Sequence, residues 1–405
     1  MIFLDWTLII LGGLALIKNL VLLAGSLRYR IKLLAAVKEE DEGYFPRVSV
    51  IVPCKGVDPG FEENILALRD QKYENFCLVF VTGTDQDPAY SALAKIISRS
   101  SRGSMRLVTA GWARTCSQKI QNLLRGIEEV GEETEVLVFA DSDIRPPDHW
   151  LRHLVAPLQD KKIGATTGYR WYMPMKGNLW SAVRSVWNMN TAFLLFEDAY
   201  NFAWGGSMAI RKETFKALAI PQRWKNGLSD DLILTQAVKQ EGYKIKFVPR
   251  SLVPSFEKTT WKALVEWTTR QMIIVRIYDP RLWKLASRVQ LGSNLMFLLG
   301  CLLGIKGVLT GTGVSLAAWF MMSDPLFVAL MNAIRFSAFK QAMPNYRDQM
   351  KKFWWAYPGL SWVVTFLMAL NFMKASRTNQ IEWRGIRYEL RSPNETAILH
   401  EGAMK

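Results

Sequence analysis

The chain has 405 residues, half of them apolar, enough for one complete α/β domain and something more. A mean hydropathy of +0.04 is high for a wholly water-soluble protein in which 21% of residues are charged. A net charge of +15 suits nucleic acid, or anionic lipid together with a nucleoside diphosphate. Apolar runs at both ends, and Arg and Lys interleaved with Trp from Trp261 to Lys284, favour the membrane and argue against nucleic acid. The four scattered cysteines have the spacing of neither a disulfide framework nor a zinc site.

In chain order, Phe3–Leu27 is long enough to cross a bilayer, with Lys18 its only basic interruption. It is too long, and lacks the basic start, for a signal peptide. Arg28, Arg30 and Lys32 follow at once, which puts the N-terminus outside and the next domain in the cytoplasm. From Arg47 to about Ser255 short apolar runs alternate with amphipathic stretches, as in a βαβ sheet. Strands are expected at Val48–Val52, Leu78–Val81, Met105–Thr109 and Val136–Ala140, with helices over Phe61–Asp70, Ala89–Ser98 and Ser117–Glu129. Beyond Ile163 the pattern turns irregular through Tyr169–Tyr200, the kind of segment that builds an acceptor side. Thr259–Trp283 reads as an amphipathic, interfacial stretch. Apolar segments near Leu291–Ile305, Val314–Ile334 and Phe353–Phe372 follow. The basic residues of Arg335–Lys352 and of the tail from Lys374 suit two crossings, with the Trp-rich third segment re-entrant or interfacial. The expected organisation is a membrane helix in 1–30, a catalytic α/β domain in 44–256, interfacial helices in 257–288, membrane segments in 289–373 and a basic cytoplasmic tail in 374–405.

Chemistry concentrates in four places. Leu137-Val-Phe-Ala-Asp-Ser-Asp-Ile-Arg145 delivers Asp141 and Asp143 from an apolar strand, a hard-oxygen pair suited to Mg²⁺ or Mn²⁺ beside a diphosphate at the carboxyl end of a parallel strand. Read alone, it is equally a strand followed by a polar turn. Asp230 and Asp231 open an amphipathic helix, as N-terminal charges welcomed by its dipole or as a general base. Gly205 and Gly206, before Ser207, allow close approach of the backbone to a ligand or make a plain tight turn. Lys119 and Asn122 lie one turn apart near a helix start, facing a nucleotide or solvent.

Val-Ser-Val-Ile-Val-Pro-Cys-Lys-Gly-Val-Asp-Pro (48–59), Asp141-Ser-Asp143, Gly-Gly-Ser-Met (205–208), Ser-Asp-Asp (229–231) and Ile-Glu-Trp-Arg-Gly-Ile-Arg-Tyr (381–388) occur in that order. The set resembles family 2 glycosyltransferases of the ceramide glucosyltransferase-like branch, over nearly the whole chain. That resemblance implies a GT-A fold, a nucleotide-sugar donor such as a UDP-sugar, a divalent Mn²⁺ or Mg²⁺ ion, and inversion at the anomeric carbon. It assigns Asp141 and Asp143 to the metal and diphosphate and Asp231, with neighbouring Asp230, to catalysis. Lys119 and Asn122 match a Lys-x-x-Asn-Leu segment near the nucleotide, and Lys55 belongs to the Lys-Gly-Val-Asp-Pro piece on the donor side. The first acidic position falls at Asp85, with Asp87 as rival. The family's Gln/Arg-x-x-Arg-Trp motif is incomplete: Gln271 is present, but Ile274 and Val275 replace Arg-Trp. Arg270 or Arg276 is then the candidate to supply the missing charge to the departing diphosphate.

The expected acceptor is a lipid hydroxyl, of ceramide, diacylglycerol or a hopanoid-type lipid, at a bacterial inner membrane. The rivals are a processive polysaccharide synthase, a glycoside hydrolase using paired carboxylates, and a non-catalytic membrane protein with a degenerate nucleotide-binding domain.

Overall fold

The computed structural model describes residues 2–39, 43–100 and 104–401. Residues 101–103 of the expected catalytic domain and 402–405 of the expected tail lie outside the described residues. The chain divides into two units. One comprises Ala36–Met173, Leu194–Glu257 and Thr378–Lys405; the other comprises Met1–Ala35, Pro174–Phe193 and Lys258–Arg377.

The first unit is built on a sheet of seven strands: β1 (Val48–Pro53), β2 (Phe76–Thr82), β3 (Ser104–Thr109), β4 (Val136–Ala140), β5 (Ile163–Tyr172), β6 (Ser207–Arg211) and β7 (Lys244–Ser255). Their order is β3-β2-β1-β4-β6-β5-β7. Pairing is parallel from β3 to β4 and between β5 and β7, and antiparallel on both sides of β6. This is the parallel-dominant mixed α/β sheet expected of a GT-A fold.

Side chains alternate across the sheet, and both faces are covered. Val50, Val52, Phe80 and Val138 meet Phe61, Ile65, Leu93 and Leu154 in one buried cluster. On the opposite face Phe139 lies against Phe215 and Trp224. Burial on both sides is why β1, β2 and β4 read as unbroken apolar runs.

Two segments differ from expectation. The stretch from Tyr169 is regular: β5 runs to Tyr172, and a helix spans Leu179–Ala192. Its pattern looks irregular because nearly all of β5 and most of the helix are buried, which erases the polar alternation. The expected basic tail is a three-stranded antiparallel sheet, β8 (Gln380–Trp383), β9 (Ile386–Ser392) and β10 (Glu395–Glu401). The β8–β9 connection is Arg384-Gly385, with φ of 52° and 78°. Two left-handed residues in a two-residue hairpin make a type I′-like turn, matched to strand twist.

The second unit is helical. Among the described residues, three stretches are long and apolar enough to cross a membrane: Trp6–Ala36, Pro280–Leu309 and Leu316–Ala342; the apolar helix Ser361–Ala375 is shorter. Exposed Ile10, Leu14, Ile17, Val21, Leu302, Ile305 and Leu326 give these helices apolar outer surfaces. Polar groups inside the bundle face one another, as apolar surroundings require. Lys18 pairs with Asp324 and donates to Ser293 Oγ at 2.7 Å; Arg335 donates to Ser26 Oγ at 3.1 Å and Asn190 Oδ1 at 3.2 Å. The amphipathic stretch expected over Thr259–Trp283 is broken in two. A helix over Trp261–Tyr278 ends at Asp279, whose side chain accepts from Leu282 N at 2.9 Å and caps the next helix, begun by Pro280.

Candidate active site

Sheet topology brings the motifs to one edge. β1, β2, β4 and β5 run in the same direction, so the loops after them emerge together, and antiparallel β6 enters from that edge. The strand order reverses between β1 and β4, where doubly wound sheets bind ligands. Ala140 pairs with Ser207, and Asp141 N donates to Gly206 O at 3.3 Å. The Asp141-Ser-Asp143 turn therefore lies directly beside Gly205-Gly206.

Lys119 sits at the centre. Ser117 caps its helix (Gln118–Glu128), accepting from Ile120 N at 3.2 Å. Lys119 Nζ lies 3.0 Å from Asp141 Oδ1 and 3.3 Å from Asp230 Oδ2, and donates to Gly205 O at 3.3 Å. Only 13% of its side chain is exposed. Burial opposes its charge, but Asp141, Asp230 and Asp231 outweigh burial and raise its pKa. The two glycines do not merely form a turn. A Cβ on Gly205 would press on the Asp230 carboxylate and stand 2.9 Å from Lys119 Nζ; one on Gly206 would stand 2.5 Å from Asp141 Oδ2.

Asp230 and Asp231 open the helix Asp230–Gln240, capped by Ser229. Asp230 is 2% exposed. Burial first, then Asp231 and Asp141, push its pKa up to about 7 despite the opposing pull of Lys119. Asp231 is half-buried; its Oδ1 accepts from Leu232 N at 2.8 Å and from Ser229 Oγ, and its Oδ2 from Gly205 N at 3.2 Å.

Arg170, which sequence reading missed, comes from the end of β5. Its Nη2 lies 2.7 Å from Asp141 Oδ2 and 2.5 Å from Asp143 Oδ1, and its Nη1 lies 2.8 Å from Asp143 Oδ2. Burial would raise the pKa of Asp143, but the Arg170 guanidinium and, further off, Arg384 hold it below the usual carboxylate range.

Arg384, at the tip of the β8–β9 hairpin, forms a fork to Asp58 at 2.7 and 2.6 Å and lies 3.9 Å from Asp143 Oδ2. The hydrogen-bonded pairing with Asp58 raises its pKa. Tyr388 of β9 accepts from Gln118 N at 3.2 Å. The C-terminal sheet thus ties the Lys-Gly-Val-Asp-Pro loop to the start of the Lys119 helix.

Arg384→Asn preserves a residue that tolerates the left-handed turn and removes the fork. Turnover per donor is expected to fall roughly fivefold, the ~1 kcal/mol scale of a part-exposed ion pair, with the fold intact by circular dichroism. Unchanged kcat/KM would show that the hairpin has no bearing on the site.

The remaining candidates are dispersed. Lys55 lies over the Trp112 ring at 5.4 Å from its centroid. Asp85 is exposed, whereas Asp87 is buried, caps a helix by accepting from Ala89 N at 2.9 Å, and also accepts from Gly56 N at 2.8 Å. Asn122 is buried on the Lys119 helix. Its Nδ2 donates to Val81 O at 3.1 Å and its Oδ1 accepts from Gln118 Nε2 at 2.8 Å, both buried. Arg270, Gln271 and Arg276 all lie half-buried on the helix Trp261–Tyr278 of the other unit.

The donor set suits a divalent ion. Asp141 and Asp143 offer hard carboxylate oxygens side by side, and five acidic groups (Asp58, Asp141, Asp143, Asp230 and Asp231) surround three cations, Lys119, Arg170 and Arg384. No cluster of three or more acidic, histidine or cysteine ligands occurs among the described residues. An ion held by Asp141 and Asp143 would take its other ligands from a diphosphate and water, as Mg²⁺-type sites do.

In structure the chain is similar, at TM-scores below one half, to two solved glycosyltransferases. One is the mannosyltransferase PcManGT from Pyrobaculum calidifontis in complex with GDP-Man and Mn²⁺ (15% identity, 90% of this chain, 97% of that chain, TM-score 0.48). The other is GalNAc-T7 with UDP, GalNAc and Mn²⁺ (16% identity, 62% of this chain, 51% of that chain, TM-score 0.42). The sequence itself matches one family model over residues 16–396, in keeping with the ordered motifs and the sheet that gathers them: the chain belongs to glycosyl transferase family 21.

Proposed function

We propose that this glycosyltransferase moves one sugar, with inversion, from a nucleoside-diphosphate sugar, a UDP-sugar in the first instance, to the hydroxyl of a membrane lipid such as ceramide, diacylglycerol or a hopanoid-type lipid. The observation that carries the reading is Lys119, whose single ammonium joins Asp141 of the strand-end pair, Asp230 of the Ser-Asp-Asp turn and the Gly205 carbonyl. The three membrane-length helices among the described residues support a bilayer-held acceptor. The basic residues after the first of them support a catalytic unit facing the cytoplasm, at a bacterial inner membrane.

In this reading Asp141 and Asp143 would hold a divalent ion, which would supply positive charge to the leaving diphosphate. Asp231, half-buried and fixed through Leu232 N and Gly205 N, takes the proton from the acceptor hydroxyl as that oxygen attacks the anomeric carbon. Asp230 is too buried to meet the acceptor, and instead positions Lys119. Lys119 and Arg384 add fixed positive charge where the diphosphate develops negative charge.

The acidic limb of the rate follows from Asp230. Below a pH of about 7 it is protonated and loosens its hold on Lys119, so kcat/KM is expected to fall. The stability term has the opposite slope. The folded chain keeps a proton that the unfolded chain releases, so stability falls as pH rises from the ordinary carboxylate range through about 7. A pH profile of Asp230→Asn should lack the limb near 7; an unaltered profile would remove Asp230 from the mechanism.

The function is tested by nucleotide release from a panel of sugar nucleotides by detergent-purified protein, with Mn²⁺ or EDTA, with and without lipid extract. Metal-dependent release that rises with lipid supports the proposal. Release indifferent to lipid, or accompanied by insoluble polymer, favours the polysaccharide-synthase alternative.

A further inference from the structure

All four oxygens of the strand-end carboxylates already face a cation of the chain. Asp141 Oδ1 faces Lys119, and the other three face Arg170. A single atom, Arg170 Nη2, bridges the two side chains, 2.7 Å from one and 2.5 Å from the other. A divalent ion shared by Asp141 and Asp143 needs that same gap, with oxygens at about 2.0–2.2 Å for the smaller ions. Guanidinium and ion exclude each other.

The Arg170 arrangement is built rather than incidental. Its side chain is 9% exposed. It lies 5.3 Å from the Tyr172 ring centroid and 5.1 Å from that of Trp204, and donates to Tyr172 Oη at 3.2 Å. Such a planar fork is suited to matching paired carboxylates. Without it, two half-buried like charges one residue apart would repel and spread before any donor arrived.

We propose that Arg170 is an intrinsic counter-ion of the metal site: it holds Asp141 and Asp143 together in the empty enzyme, and the divalent ion arriving with the donor must displace it. Metal affinity is then set by competition with a residue of the chain. The displaced guanidinium, still tethered to β5, becomes available to the diphosphate, and can take up the charge role left open by the missing Arg-Trp pair. The inference deepens the donor-site reading above and rests on it for the arrival of the nucleotide.

The test is Mn²⁺ binding to the full-length protein in detergent, by titration calorimetry and by the electron paramagnetic resonance signal of free Mn²⁺, with and without UDP. Arg170→Met should bind Mn²⁺ more tightly by about ten- to a hundredfold, the scale of lost charge-assisted hydrogen bonds. Arg170→Lys, a point charge unable to bridge both carboxylates, should fall between it and the native protein, and also serves if the Met variant does not fold. Asp143→Asn should bind far more weakly than all three. Equal or weaker binding by folded Arg170 variants would overturn the proposal, as would no Mn²⁺ binding by any variant. Tighter binding without turnover of any sugar nucleotide would leave the counter-ion role standing and sink the glycosyl-transfer reading instead.

Discussion

Asp231→Asn is expected to lower kcat by roughly 10²–10⁴-fold, the usual worth of a general base, with little change in donor binding. The substitution is close to isosteric, and an amide oxygen can still accept from Leu232 N, the shorter of the two backbone contacts at 2.8 Å. What it removes is the basic lone pair and the second acceptor for Gly205 N, 3.2 Å away. Single-turnover kinetics together with UDP binding separate the two roles. Chemistry slowed at constant UDP affinity identifies the base. Parallel loss of both would mean that Asp231 serves to fix the Gly205 turn, and the proton must then go elsewhere.

Lys119→Met is expected to damage both stability and rate. Near pH 7 Asp230, whose pKa is already pushed up to about 7, answers the loss of Lys119 by keeping a proton; at about pH 9 it is stranded as an uncompensated buried charge, and the cost rises toward about 3–5 kcal/mol. The rate should fall by roughly 10²–10³-fold, as for loss of one preorganised charge in other active sites. A second substitution separates the effects. Adding Asp230→Asn removes the charge stranded at alkaline pH, so at about pH 9 Lys119→Met/Asp230→Asn should recover most of the stability while turnover stays low. This coupling is what a double-mutant cycle measures. Additive destabilisation would show that the 3.3 Å Lys119–Asp230 pair carries little energy.

The parts of this molecule legible in its sequence are those whose physics is local. β1, β2 and β4 are covered on both faces, so their apolar runs stand out, and the carboxylates that end β4 stand out against them. The hidden parts are pairings across distance. Arg170 looks like a stray charge in an aromatic strand; its partners lie 27 and 29 residues upstream, reached only because β5 runs parallel to β4. Arg384 and Asp58 are 326 residues apart, and each motif is visible alone while the ion pair is not. Helical spacing puts Asn122 on the Lys119 face but does not reveal its partners: one turn deeper, its amide bonds to Val81 O and Gln118, while Lys119 in the first turn meets Asp141 and Gly205. The C-terminal sheet was concealed by charge. In Ile386-Arg-Tyr-Glu-Leu-Arg-Ser392 the alternation of buried Ile386, Tyr388 and Leu390 with polar neighbours is a strand signal, masked by the basic composition.

The most direct measurement is mass spectrometry of the lipid fraction after the purified protein is incubated with an isotopically labelled UDP-sugar and mixed lipids. Transfer to a lipid hydroxyl predicts labelled lipid species heavier than an unglycosylated parent by one sugar residue, absent with Asp231→Asn. A ladder of many sugars, label confined to insoluble polymer, or label appearing only as free sugar would contradict it.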